Sequence, residues 1–128
     1  MIHGIGTDIV QIERMRAALA RHGEAFATRV LAPSERQAWQ DARDPARFLA
    51  KRFAAKEAFG KALGIGIAPP ATLHALAVEH DGRGKPCLCY DERLAAHMAE
   101  QGLSSHLSLS DERDYVVAVA LIECRGSR

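Results

Sequence analysis

Residues 52–61 read RFAAKEAFGK, and the fold turns on what this stretch is. Upstream, Asp44-Pro45 sets an N-cap residue before a proline at the first helical position. Downstream, Gly64-Ile65-Gly66 is a helix stop. One long helix between these signals is the expectation. Phe53, Glu57 and Lys61 then follow one another at i, i+4 spacing and share a face. The plain reading of Glu57 and Lys61 is a solvated ion pair one turn apart, worth a few tenths of a kcal/mol. The alternative is a metal-binding carboxylate beside a cation for phosphate. The rest of the chain decides between them.

Working outward, the first strand is expected over IHGIGTDIV (2–10), interrupted by Gly4 and Gly6. Glycine inside a strand marks a bulge or a close approach by another group. Asp8 sits near the end of this strand among Ile5, Ile9 and Val10. It either caps the helix that follows or pairs with a cation, because acids near a core are seldom left alone. A helix over roughly Gln11–His22 carries Ile12, Met15 and Leu19 inward, with Gly23 as its stop. Arg14 and Arg21 lie two turns apart on another face, as a solvated basic face or a dock for an acidic helix. A helical piece over Glu24–Val30 follows, and Ser34 is expected to N-cap a helix carrying Glu35 and Trp39. Phe48, Leu49, Phe53 and Leu63 are the expected core of the long helix.

Beyond residue 72 the chain is strand-rich. A strand over Leu73–His80, the turn Asp81-Gly82-Arg83-Gly84 and a return strand over Pro86–Tyr90 are expected to form a hairpin. Asp91 is expected to cap a helix reaching Gln101. HLSLS (106–110) alternates cleanly, and Tyr115–Glu123 is the most apolar strand, apolar on both faces and so in want of cover on both. Helices gathered in the first half and strands in the second give an α+β class, an antiparallel sheet packed against helices, in one domain over 1–128.

Composition is that of a soluble globular chain, 48% apolar and 26% charged. The formal charge of +1 hides an asymmetry: residues 11–61 hold eleven Lys/Arg against six Asp/Glu. A basic helical half points to an anionic partner. With 5% aromatic residues and no interleaved aromatic–basic platform, nucleic acid is not the expected one. Cys87, Cys89 and Cys124 are odd in number and include no C-x-x-C, so packing is their expected role. The histidines are scattered without zinc spacing. No leader pattern and no membrane-length apolar run is evident, and a reducing cytoplasmic setting is expected.

Three motifs carry a resemblance: GIGTDIV (4–10), RFAAKEAFGKALG (52–64) and GKP (84–86) before a strand, with HLSLSDERDYVVAVALIE (106–123) closing the pattern. Together they resemble the 4′-phosphopantetheinyl transferase superfamily, in its short, single-domain holo-[acyl-carrier-protein] synthase type. The resemblance implies transfer of 4′-phosphopantetheine from coenzyme A to a serine of an apo acyl carrier protein. It implies Mg²⁺ on Asp8 and Glu57, with Glu57 and Lys61 acting in catalysis. Coenzyme A would be held by Arg52, Lys56, Lys61, Gly64 and Pro86. It further implies carrier docking on Arg14 and Arg21, and a homotrimer with sites between subunits. Two carboxylates suit Mg²⁺, which keeps waters and takes other ligands from phosphates. Where many relatives carry a histidine after Ser-x-Ser/Thr, this chain has Asp111, which as an anion does not hold a phosphate. The competing reading is a noncatalytic module binding acidic proteins or RNA through the basic first helix; it leaves Asp8 and Glu57 without a role.

Overall fold

Gly4 and Gly6 in the first strand have neighbours that leave no space for a side chain. A Cβ on Gly4 would lie 2.0 Å from the Ala62 carbonyl oxygen, and one on Gly6 would lie 2.1 Å from that of Ala58. The glycines are there because a helix backbone rests directly on the strand. In the computed structural model, which describes residues 1–125, that helix is α4 (Pro45–Leu63) and the strand is β1 (Ile2–Gln11). Asp44 caps α4, its carboxylate accepting from the Arg47 backbone N–H at 3.2 Å. Gly64 closes it in a left-handed conformation (φ 97°) that disfavours residues with a Cβ.

Between β1 and α4 come α1 (Ile12–His22), α2 (Glu24–Val30), a 3₁₀ turn (Pro33–Glu35) and α3 (Arg36–Gln40). After α4, a 3₁₀ turn (Leu73–Ala75) leads into β2 (Leu76–His80), then β3 (Pro86–Tyr90), α5 (Glu92–Glu100), β4 (Leu103–Asp111) and β5 (Tyr115–Cys124). β1, β5 and β4 form an antiparallel sheet in that order, and β2 and β3 form a separate antiparallel hairpin. The expected class, a mixed fold with an antiparallel sheet against helices, is the one observed.

Register decides which face of the sheet meets α4. Gly6 stands opposite Ala120 and Asp8 opposite Ala118. The β5 side chains Val116, Ala118, Ala120 and Ile122 are completely buried on that face, with Leu49, Ala54, Ala58 and Phe59 of α4 equally buried. Small residues on both surfaces let helix and sheet approach closely. The other face of β1 and β5 is open: Ile5 is 62% exposed, Ile9 64% and Val117 38%. The reading of β5 as apolar on both faces holds, and the chain itself buries only one of them.

Two local expectations fail. Ser34 does not cap a helix. Ala32 precedes the 3₁₀ turn, and Glu35 reaches back so that its Oε1 accepts from Ala32 N at 2.8 Å; the glutamate at the third position takes the capping bond from Ser34. In α4, Phe48 and Phe53 are only partly buried, whereas Phe59, not among the expected core, is fully so and packs on Tyr90.

Candidate active site

The α4 sequence KEAFGK splits into two environments because successive side chains leave a helix about 100° apart. Lys56 points inward and is completely buried. Its ammonium donates to Glu35 Oε1 at 2.6 Å, Val30 O at 2.8 Å and Leu73 O at 2.9 Å. Three donors meet three acceptors, so none is left for a ligand. The assignment of Lys56 to the coenzyme A phosphates is therefore corrected: it is a buried framework residue, held there by Glu35. Arg52, one turn earlier, is 7% exposed, with Nε 3.2 Å from Glu35 Oε2 and its guanidinium over the Phe48 ring at 4.2 Å. One carboxylate thus faces two cations, and the cluster keeps an excess positive charge.

Glu57 points the other way, into an open cleft of about 390 Å³ whose wall includes Asp8, Arg14, Met15, Phe26 and Phe53. Strand β1 delivers Asp8 here because Asp8 shares the helix-facing side with Gly6. Lys61 crosses from α4 to β1, donating to Thr7 O at 2.9 Å and Asp8 Oδ1 at 3.4 Å. Burial lifts the Glu57 pKa above its ordinary value; the Asp8 charge adds to the rise and Lys61 partly offsets it. Asp8 and, some fifty residues later in the chain, Glu57 and Lys61 are therefore one electrostatic unit. Both plain readings fail: the N-cap of α1 is Gln11, with no side-chain capping bond, and Lys61 pairs with Asp8.

The donors fit a magnesium ion. Two hard carboxylates converge beside an open cleft, and their mutual repulsion is what a dication would relieve. Arg14 lines this cleft, and Arg14 and Arg21 are both exposed on α1. Gly64 ends α4 beyond Lys61. Pro86 is not brought to the cleft; it stands opposite His80 in the hairpin. There a second basic group gathers. The His80 pKa is lowered by burial and then by the charges of Arg52 and Lys51.

Asp111 belongs to this second region. It accepts from Arg47 Nη1 at 2.8 Å and pairs with Lys51 at 3.3 Å, while Arg47 also donates to Glu112 O at 2.6 Å and Arg113 O at 3.1 Å. Where a histidine was looked for, an aspartate pins the β4–β5 turn to the first turns of α4. Sequence reasoning missed Glu35 and Arg47. For Glu35 there was a signal, an acid three residues after Ala32 and behind Pro33 at the first helical position; for the tie of Arg47 to the β4–β5 turn there was none, since Asp111, Glu112 and Arg113 lie more than sixty residues away.

Residues 4–120 match the family model of the 4′-phosphopantetheinyl transferase superfamily. The chain is 71% identical over 125 residues to the holo-[acyl-carrier-protein] synthase of Aromatoleum aromaticum, covering 98% of this chain and 100% of that protein. It is 48% identical over 126 residues to the synthase of that name from Vibrio cholerae, covering 98% and 100%. The crystal structure of holo-[acyl-carrier-protein] synthase from Neisseria meningitidis matches with a TM-score of 0.93 at 45% identity, over 96% of this chain and 99% of that one. The Bacillus anthracis synthase, solved in complex with CoA (3′,5′-ADP), matches with a TM-score of 0.83 at 33% identity, over 98% and 99%. The chain belongs to the 4′-phosphopantetheinyl transferase superfamily, in its holo-[acyl-carrier-protein] synthase family.

Proposed function

We propose that this chain transfers 4′-phosphopantetheine from coenzyme A to a serine hydroxyl of an apo acyl carrier protein, releasing adenosine 3′,5′-bisphosphate. The observation that carries the reading is the convergence of Asp8, Glu57 and Lys61 at an open cleft beside the exposed basic helix α1. In the reaction the serine oxygen forms a bond to the phosphorus that bears pantetheine. The bond from that phosphorus to the bridging oxygen breaks, and the serine proton leaves to a base. Asp8 and Glu57 would hold Mg²⁺, which when bound supplies charge neutralisation on the pyrophosphate. Lys61 places an ammonium where the leaving phosphate gathers charge. Glu57, in the cleft wall, is the candidate to receive the serine proton, directly or through water. The nucleophile belongs to the carrier, so this chain needs no Ser/His or Cys/His pair of its own.

Arg14 and Arg21 are assigned to docking the carrier's acidic helix, since both are exposed and Arg14 reaches the cleft wall. A homotrimer with sites between subunits is part of the reading. Its support is the exposed apolar face of β1 and β5, and the separation of Arg52 and Pro86 from the Asp8 cleft within one chain. Neighbouring copies would bring the two halves together, with Arg52, Gly64 and Pro86 against coenzyme A. A cytoplasmic setting and a role in supplying carriers for fatty acid synthesis complete the assignment. Three free thiols accord with that setting, and no helix among the described residues is long and apolar enough to cross a membrane.

The test is mass spectrometry of apo carrier protein incubated with the chain, coenzyme A and Mg²⁺. The expected result is the phosphopantetheinylated mass, lost on chelation and restored by Mg²⁺. An unchanged carrier mass under these conditions overturns the reading.

A further inference from the structure

Glu35 and Lys56 lie outside the cleft, and the transfer chemistry uses neither. Their bonding nevertheless spans the molecule. Besides Lys56, the Glu35 carboxylate accepts from Ala32 N at 2.8 Å and from Val78 N of β2 at 2.8 Å. Lys56 adds the C-terminal carbonyl of α2 and the first carbonyl of the 73–75 turn. One buried ion pair therefore joins α2, both 3₁₀ turns, β2 and α4.

The contact on the other side of α4 is of a different kind. Over the turns that carry Glu57 and Lys61, the helix meets β1 through Gly4 and Gly6 against the carbonyls of Ala58 and Ala62. It meets β5 through Ala118 and Ala120, buried against alanines of the helix. Such a surface sets how close the helix lies. It offers few ridges and grooves to stop the helix from turning about its own axis. Directional hydrogen bonds resist it: those of the buried Lys56 ammonium, with those of Arg47 to the β4–β5 turn at the far end of the helix and the exposed Lys61 bond to Thr7 O. Side chains stand about 5–6 Å from a helix axis, so a roll of about 10° moves the Glu57 carboxylate by roughly 1 Å. A misplacement of about 1 Å at a reacting site costs on the order of 10²-fold in rate.

We propose that Glu35, acting through Lys56, is a positioning residue that fixes the roll of α4 and so holds Glu57 and Lys61 against Asp8. Its consequence for turnover rests on the transferase reading above; its consequence for geometry does not. Neither residue touches substrate, so this role is distinct from those of Glu57 and Lys61.

The test is the pair variant Glu35→Leu with Lys56→Met, which removes both charges of the pair together and leaves Arg52, 7% exposed, without its carboxylate. Three readouts are compared with the unmodified chain: ligand-free Tm, crystal structures of both proteins, and kcat and KM with apo carrier, coenzyme A and Mg²⁺. Positioning predicts the Lys61–Asp8 contact, 3.4 Å at present, opened by about 1 Å or more in a variant that still folds, whatever its Tm. It predicts a kcat lower by about 10- to 100-fold, with the carrier KM within about three-fold. A variant that keeps the contact and the kcat overturns the proposal. So does one whose kcat is restored once an osmolyte restores its Tm, because the pair would then serve stability alone. If the pair variant does not fold, Glu35→Asp keeps the charge and withdraws it by one methylene. A reduced kcat with KM spared then supports the role, and an unchanged kcat ends it. An unmodified chain without transfer activity would refute the transferase reading, while a displaced Lys61 in the variant's crystal structure would still uphold the positioning.

Discussion

Lys56 and Lys61 come from the same helix, five residues apart, and each meets a carboxylate, yet the two pairs are built for different ends. Lys56 with Glu35 is sealed: Lys56 is completely buried, Glu35 is 3% exposed, and every donor of the ammonium is used. Lys61 with Asp8 is open: the lysine side chain is 54% exposed, its contact is 3.4 Å, and a second carboxylate, Glu57, stands in the same field. A saturated pair organises structure, since breaking it strands a charge. An unsaturated group of two anions and one cation has capacity left for a ligand. Partner count and burial, not residue type, separate framework from chemistry here.

The largest stability effect should come from breaking the sealed pair on one side only. Lys56→Met leaves Glu35 buried with Arg52 as its remaining cation, and the expected loss is about 3–5 kcal/mol, read as a lower urea midpoint with unchanged slope. A loss below about 1 kcal/mol would show that the pair is not sealed. On the open side, charge reversal at Arg14 and Arg21 should raise the carrier KM several-fold and weaken its salt dependence, with Arg21→Glu alone, outside the cleft lining, sparing the KM for coenzyme A. An unaltered carrier KM in the double Arg→Glu variant removes the docking role.

The smallest effect belongs to Asp111, which is intermediate between the two kinds. Burial acts to raise its pKa, but the bonds and charges of Arg47 and Lys51 outweigh this and hold it below the ordinary aspartate value. A carboxylate depressed in the folded state stabilises above its unfolded pKa, and that contribution disappears as the pH falls through its folded pKa. Its side chain is 29% exposed, so Asp111→Asn should cost no more than about 1 kcal/mol near neutrality. The difference between variant and unmodified chain should vanish at acid pH. Urea unfolding at the two pH values measures it; a difference that persists in acid contradicts the ion-pair account.

Much of this was legible in the sequence, for physical reasons. The bounds of α4 were marked by local chemistry, Asp44-Pro45 at one end and Gly64 at the other, and both act as read. The β2–β3 hairpin announced itself through Asp81-Gly82-Arg83-Gly84, where Asp81 accepts from the backbone of Arg83 and Lys85. The joining of Asp8 to Glu57 was not legible from spacing, since only the packing of α4 on the glycines of β1 brings them together. It entered through family resemblance. Lys56 shows the limit of reading a motif as a row of ligands: beside Glu57 in the chain, it points to the opposite environment. Its partner Glu35 was hidden behind the more obvious cap, Ser34.

The most direct measurement is transfer by Glu57→Gln, followed by mass spectrometry of the carrier, with ligand-free Tm recorded alongside. A carboxylate with a raised folded-state pKa favours its protonated form, so its ionisation costs stability as the pH rises through that pKa. Replacing it by a neutral amide of the same shape relieves its repulsion with Asp8. The account therefore predicts a metal-free Tm at neutral pH that is equal or higher. Magnesium-dependent turnover should fall by orders of magnitude, and the stabilisation given by Mg²⁺ with coenzyme A should be lost. Near-normal magnesium-dependent transfer by Glu57→Gln would contradict the account and return Glu57 to an ordinary residue of the cleft wall.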